Sequence, residues 1–202
     1  PKQFIELNGV PILLHTLHAF YRYAEDLPVI LVLPSEDFQT WHSIAAKHRF
    51  TKKIILQKGG DTRFQSVRNG LEKIGEEGLV AIHDGVRPLV SEDIIAASFR
   101  LAAVHKTAVA AVRLKESIRM TDQNTTRSMD RSRFRMIQTP QTFDVTLIKQ
   151  AYQMKEDSSL TDDANVEEHA GHAISFVEGS YDNIKITTED DLGVTRWWPG
   201  PR

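Results

Sequence analysis

Short β-branched runs alternate with longer amphipathic stretches along this chain, and that rhythm limits what it can fold into. Residues 29–33, 53–56, 79–83, 108–112 and 174–177 read as strands, the first bracketed by Pro28 and Pro34. Between them, core-facing positions recur at helical spacing: Ile12, Leu13, Thr16, Leu17 and Phe20 behind Pro11; Phe38, Trp41, Ile44 and Ala45; Val67, Leu71 and Ile74; Ile94, Ile95, Ser98, Phe99, Leu101 and Ala102. Residues 144–154 and 162–169 complete the helical set. Alternating strand and helix predict an α/β fold, a mostly parallel sheet with helices on both faces. At 202 residues and 41% hydrophobic, the chain has the apolar content for one such domain.

Residues 115–138 break the rhythm and turn polar. The turn-rich run Met120-Thr121-Asp122-Gln123-Asn124-Thr125-Thr126 lies between Glu116-Ser117-Ile118-Arg119 and Met129-Asp130-Arg131-Ser132-Arg133-Phe134-Arg135. That pattern predicts a protruding two-stranded β-arm of the kind that serves a partner subunit. The alternative is an unstructured surface loop.

Composition excludes several chemistries. There is no cysteine, which rules out disulfides, thiolate nucleophiles and cysteine-held zinc and suits a cytoplasmic location. The eight histidines lack the His-Glu-x-x-His spacing of a zinc site, and no Gly-x-Ser-x-Gly elbow offers a hydrolase serine. A formal net charge of −2 gives no cationic field for nucleic acid. The cluster Arg127, Arg131, Arg133 and Arg135 is diluted by Asp130 and shows no aromatic interleaving for stacking on bases. No apolar run approaches the ~20 residues that span a bilayer, so neither nucleic acid nor membrane is an expected partner. His15 and His18 read as ordinary helix-face residues, and Glu167-Glu168 as a solvated helical face.

Four segments place charge, glycine or a fixed hydroxyl where a sheet would open onto a ligand. His83-Asp84-Gly85-Val86-Arg87-Pro88 follows the apolar run Leu79-Val80-Ala81-Ile82. A buried strand ending this way points charged groups into the crevice at the carboxyl edge of an open α/β sheet. Asp84 suits sugar hydroxyls or a metal, and Arg87 a phosphate; the plainer alternative is Asp84 as a cap and Arg87 as a surface ion-pair partner. Gly59-Gly60-Asp61-Thr62-Arg63-Phe64-Gln65-Ser66 joins a strand to a helix. Its glycines admit a ligand close to the backbone, Asp61 or Thr62 can cap the helix, and exposed amides can take an anion or a base carbonyl, unless the run is an ordinary turn. Asp182-Asn183-Ile184-Lys185-Ile186-Thr187 sets one lysine among apolar neighbours, either a point charge that reaches a phosphate or an exposed edge-strand lysine. Gln138-Thr139-Pro140-Gln141-Thr142-Phe143 holds Thr139 extended before proline, which fixes its hydroxyl, unless the run simply leads into a helix. Together these segments point to phosphate chemistry on small molecules.

With Pro1-Lys2-Gln3-Phe4 and Asp130-Arg131, they stand in an order and spacing that resembles the sugar-phosphate cytidylyltransferases. The match is nearest to the 2-C-methyl-D-erythritol 4-phosphate cytidylyltransferase family, over residues 1–192. The resemblance implies a Rossmann-like, glycosyltransferase-A-like nucleotide-binding sheet in a single domain over 1–202, with an arm at about 115–138 that crosses to the partner in a homodimer. It implies CTP with Mg²⁺, methylerythritol phosphate as acceptor, and the CDP-linked methylerythritol and pyrophosphate as products. By motif, Lys2, Lys185 and Arg131 are the implied catalytic cations, Lys2 on the CTP phosphates and Lys185 between the two reacting phosphates. Gly60, Asp61 and Ser66, with Arg63 in the same loop, are implied at the cytosine end. Asp84 and Gly85 are implied beside the nucleotide, Asp84 facing a metal held mainly by the CTP phosphates. Arg87, Ser117, Arg131, Thr139, Thr161 and Lys185 are implied to hold the acceptor, with Ser117, Arg131 and Thr161 supplied across the dimer. Such a site needs no general base, because the attacking phosphate is already ionised near neutral pH; its task is to bring together two anions that repel.

Three features depart from the family pattern. The family places a strand and a glycine-rich phosphate loop before Pro-Lys-Gln, so ~20 or more further residues are expected upstream. Ser117 stands where relatives often carry threonine and keeps the hydroxyl. Pro199 and Pro201 forbid the family's closing helix in the tail. Ribitol-5-phosphate cytidylyltransferase, which shares the Pro-Lys-Gln, His-Asp and Thr-Pro-Gln signatures, is the nearest alternative, and Asp130-Arg131 favours the methylerythritol enzyme. A non-catalytic nucleotide-binding module is the other.

Overall fold

In the computed structural model, which describes residues 1–195, a 3-10 turn at Lys2–Phe4 leads into a short hairpin, β1 (Glu6–Leu7) and β2 (Val10–Pro11). There follow α1 (Ile12–Tyr23), β3 (Val29–Leu33), α2 (Phe38–Lys47), β4 (Ile54–Lys58), α3 (Arg63–Leu71), β5 (Leu79–Ile82), α4 (Glu92–His105) and β6 (Thr107–Arg113). The arm is β7 (Ile118–Asp122) and β8 (Thr125–Met129); then come β9 (Arg135–Asp144), α5 (Val145–Ala151), α6 (Asp163–His169), β10 (Phe176–Glu178) and α7 (Glu189–Thr195). Pro199 and Pro201 lie outside the described residues.

β6 sits at the centre. Residues 107–112 are all buried, an apolar run that only a strand covered on both faces can carry. Successive side chains point to opposite faces. Val109 packs with Phe64 and Leu71 of α3, Ile148 of α5 and Val166 of α6, while Ala110 packs with Phe20 of α1 and Ile95 of α4. Helices therefore cover both faces, as the alternation predicts.

The sheet order is β10-β6-β9-β5. β10 is parallel to β6, but β9 runs against both β6 and β5, so three strands share a direction and one opposes them. β3 and β4 form a parallel pair of their own, with Leu31 and Leu33 packed on Leu13, Leu17 and Trp41. Among the described residues no ladder joins that pair to the four-stranded sheet.

β9 is the element that local pattern hides. Its sequence is polar and contains Pro140, which removes a ladder donor and argues against a central strand. The register shift between Val109 and Ala111 resolves this: Val109 pairs with Gln141 and Ala111 with Ile137, so residues 138–140 bulge out of the ladder and Pro140 falls in the bulge. The expected arm at 115–138 is accordingly shorter. Its hairpin spans residues 118–129 and turns at Gln123, whose φ is 42°, while residues 135–138 already belong to β9.

Two further expectations change. The helix expected over 144–154 is α5 alone, with Asp144 outside it as the cap that accepts from the Thr146 and Leu147 amides. Glu167 is not solvated but fully buried, its carboxylate paired with the His172 imidazole. The face of α6 that carries Glu167 also carries Ala164 and turns inward, a choice that an acidic pair in sequence cannot reveal.

Candidate active site

The chain leaves β5 at Ile82 and turns sharply, with the Arg87 amide donating to the Asp84 carbonyl at 3.1 Å. This turn brings one carboxylate oxygen, Asp84 Oδ2, within 3.1 Å of Arg87 Nε and 3.3 Å of Lys185 Nζ. Burial works to raise the Asp84 carboxyl, but the Lys185 ammonium and then the Arg87 guanidinium outweigh it and hold it below its ordinary value. Arg87 itself is only 8% exposed, and its Nη1 donates to the Asn183 carbonyl at 2.7 Å. The guanidinium expected to fork onto a phosphate is thus a buried strut between the β5 turn and the segment carrying Lys185. Lys185 is open, with its side chain 41% exposed.

Thr139 and His83 fix this turn from beneath. Thr139 is buried, and its Oγ1 accepts from the Asp84 amide at 3.1 Å and meets His83 Nδ1 at 3.0 Å. His83 Nε2 faces the Arg87 carbonyl at 3.4 Å. A carbonyl only accepts, so Nε2 carries the ring proton and Nδ1 accepts from the Thr139 hydroxyl. Burial pushes the imidazole pKa down to about 4, and the ring is neutral. Thr139 is therefore fixed before Pro140 as expected, but its hydroxyl braces Asp84 rather than opening onto a pocket.

A second region is the loop entering α3. Thr62 caps the helix, accepting from the Gln65 amide at 3.1 Å. Ser66 Oγ accepts from the Gly60 amide at 3.0 Å and Gln65 Oε1 from the Asp61 amide at 3.1 Å, so two amides expected to face a ligand are held by the helix they precede. Gly60 is required there, because a Cβ would lie 2.3 Å from that of Gln65. Arg63, expected beside the base, is tied to α6 and stays partly exposed. Its Nη1 and Nη2 donate to the two Asp163 oxygens at 2.9 and 2.5 Å, and the Tyr152 hydroxyl donates to Asp163 Oδ1 at 2.5 Å. Burial opposes the Arg63 charge, yet the adjacent Asp163 raises its pKa.

The remaining predicted residues are spread out. Gly85 lies in the β5 turn, where its carbonyl accepts from Thr16 Oγ1 at 3.0 Å. Lys2 is exposed in the opening 3-10 turn and makes no ion pair among the described residues, although the chain that follows it reaches the core through Leu7 of β1 and Ile12 of α1, packed on Val86 and Ile186. Ser117 and Arg131 are exposed at the root of the arm, where Arg131 Nη1 donates to the Lys115 carbonyl. Thr161 is exposed just before Asp162, the cap of α6. Gln138, Gln141, Tyr152, Asp163 and Asn183 were missed as site-building residues. Gln138, Gln141 and Asn183 lie inside conspicuous motifs, but their partners are distant in sequence: Gln141, for example, binds the Ala164 amide and Asp162.

A divalent metal fits this donor set only as a passenger on substrate phosphates. Among the described residues no three acidic or histidine side chains converge on one point. The ionised Asp84 offers a single carboxylate whose two cation contacts both fall on Oδ2, the number of protein ligands a phosphate-borne Mg²⁺ commonly takes.

A carboxylate just beyond β5, an open lysine in the segment after β10 and a glycine loop opening α3 suit a nucleotidyltransferase. The family profile of 2-C-methyl-D-erythritol 4-phosphate cytidylyltransferase matches residues 1–197, and the chain belongs to that family. It is similar to the cytidylyltransferase of that name from Bacteroides fragilis, 42% identical over 96% of this chain and 89% of the relative. It is likewise similar to the one from Halalkalibacterium halodurans, 40% identical over 95% and 85%. Among solved structures it resembles 4-diphosphocytidyl-2C-methyl-D-erythritol synthase from Anaerococcus prevotii, with TM-score 0.86, 30% identity and coverage of 97% and 88%. It also resembles the 2-C-methyl-D-erythritol 4-phosphate cytidylyltransferase of Thermus thermophilus, with TM-score 0.79, 30% identity and coverage of 97% and 92%.

Proposed function

We propose that the Asp84–Lys185 centre carries the transfer of CMP from CTP to 2-C-methyl-D-erythritol 4-phosphate, a step of non-mevalonate isoprenoid biosynthesis. The products are 4-diphosphocytidyl-2-C-methyl-D-erythritol and pyrophosphate. The observation that carries this reading is the open Lys185 ammonium, held 3.3 Å from Asp84 at the sheet edge. The acceptor's phosphate oxygen attacks the α-phosphorus of CTP, and pyrophosphate leaves. Lys185 neutralises the two anions as they approach, so its contribution grows toward the transition state. Lys2 adds a second cation on the triphosphate. Gly60, Asp61 and Ser66 form the loop beside the cytosine, and Arg63 ties that loop to Asp163. Asp84, Gly85 and Lys185 line the reacting centre, and Ser117, Arg131 and Thr161 hold the acceptor from a second copy. Arg87 and Thr139 serve the acceptor indirectly, by fixing Asp84. Mg²⁺, when bound, draws charge from the phosphates beside Asp84.

The chain is read as one nucleotidyltransferase domain with a dimerisation arm. Supporting the homodimer, Met120 on the arm and Phe134, Met136 and Ile137 at its root are exposed apolar side chains. No helix among the described residues is long and apolar enough to cross a membrane. A cytoplasmic location matches the use of CTP.

The deciding experiment is pyrophosphate release with CTP and Mg²⁺, run with methylerythritol phosphate and with ribitol 5-phosphate. Release with the first at a kcat/KM well above the second is expected. Preference for ribitol 5-phosphate would transfer the reading to that enzyme, and no release with either would leave a nucleotide-binding module.

A further inference from the structure

The segment that delivers Lys185 has no regular structure to hold it. From Gly179 through Thr187 it is neither helix nor strand. Two carboxamides make much of its attachment, beside the Tyr181 hydroxyl on the Arg113 carbonyl at 2.7 Å. Gln138, in the β9 bulge, treats Ser180 as a strand would: Nε2 donates to the Ser180 carbonyl at 2.7 Å and Oε1 accepts from the Ser180 amide at 3.3 Å. Asn183 is fully buried; its Nδ2 donates to the Thr139 carbonyl at 2.8 Å and to Gln138 Oε1 at 3.4 Å. The Asn183 carbonyl in turn accepts from Arg87. Two residues later Lys185 emerges beside Asp84, and the Ile186 amide closes the segment on the Val86 carbonyl at 2.9 Å. Gly179 belongs to the same fit, since a Cβ there would lie 2.3 Å from Gln138 Oε1.

We infer that Gln138 and Asn183 are positioning residues for the transfer step, an amide clamp that sets how far the Lys185 ammonium reaches. The inference rests on the role given to Lys185 above. Asn183 bonds to Thr139 and Gln138, so the clamp ties the Lys185 segment to the strand whose Thr139 hydroxyl independently holds the Asp84 amide. Lysine is flexible along four carbons, and an anchored backbone is what limits where its charge can go. Displacing a reacting group by about 1 Å costs on the order of 100-fold in rate, so loss of an anchor is read in kcat.

The test is a double-mutant cycle in the pyrophosphate assay. Asn183→Ala is expected to lower kcat about tenfold or more while KM for CTP stays within about twofold. In a Lys185→Ala background the same change is expected to lower kcat by less than about twofold, because the group it positions is gone. Equal losses in both backgrounds, or an unchanged kcat in Asn183→Ala, overturn the clamp and leave Lys185 its role. Should Asn183→Ala not fold, Gln138→Met on the β9 side decides by the same criteria. A Lys185→Ala enzyme with wild-type kcat would instead remove the underlying reading and the clamp together.

Discussion

At the scale of single residues, Asp84 Oδ2 is the meeting point, because one oxygen gathers a local cation, Arg87, and a remote one, Lys185. The pairing keeps Asp84 ionised and leaves Lys185 poised at the opening. Lys185→Ala is expected to lower kcat by about 100- to 1000-fold, the usual cost of removing one preorganised charge donor, with KM for CTP little changed. Steady-state kinetics check this, and a loss confined to CTP affinity would count against it. His83 supplies a pH signature. The folded imidazole binds its proton only near pH 4, against an ordinary 6.5, so between those values the unfolded chain binds more protons. Stability from this residue is whole above pH 6.5 and falls as pH drops toward 4, by about 3 kcal/mol across the window. The proton resonances of His83 are expected to titrate below pH 5 in the folded protein, in line with its pKa of about 4. Titration near the ordinary value would show that the ring is not buried as described.

At the scale of elements, the site is made by struts between segments. Arg63 at the start of α3 grips Asp163 in the first turn of α6, tying the Gly60-Asp61 loop to the Thr161 end of the molecule. Asp163 is fully buried while Arg63 is 38% exposed and partly screened. Asp163→Ala is therefore expected to cost about 3 kcal/mol in urea unfolding, at the lower end for a broken buried pair, and to raise KM for CTP as the loop loosens. Unchanged CTP kinetics in a destabilised enzyme would make the strut purely structural. The arm presents a separate case. Arg131 uses one donor on Lys115 and has others to offer a phosphate. Arg131→Ala is expected to raise KM for the sugar phosphate about tenfold or more, as for a lost hydrogen bond to a charged group, while the dimer persists on gel filtration. Loss of the dimer without that change in KM would mark the residue as an assembly contact.

At the scale of the whole molecule, a four-stranded sheet covered on both faces carries Asp84 just beyond β5, and the two-stranded arm at 118–129 stands apart from it. Deleting residues 118–129 is expected to give a folded monomer by analytical ultracentrifugation with little activity, since Ser117, Arg131 and Thr161 are proposed to act across the dimer. A fully active monomer would refute that assignment. Much of this was legible in advance. The strand at 29–33 is observed as predicted, and helices begin where Pro11 and Thr62 mark them, because period and capping are local properties of neighbouring residues. The motif around Asp84 and the lone Lys185 also announced themselves, since charge between apolar runs is visible without a fold. What the sequence determined by itself was thus the strand and helix alternation outside β9, and the family. The tertiary structure alone decided that β9 is a strand despite Pro140, that Glu167 is buried, that Arg87 is a buried strut, and that Arg63 is tied to Asp163 of α6. Each of those outcomes depends on partners remote along the chain or on which helical face turns inward. A guanidinium looks the same in sequence whether its carboxylate lies across the core or its phosphate lies in solution.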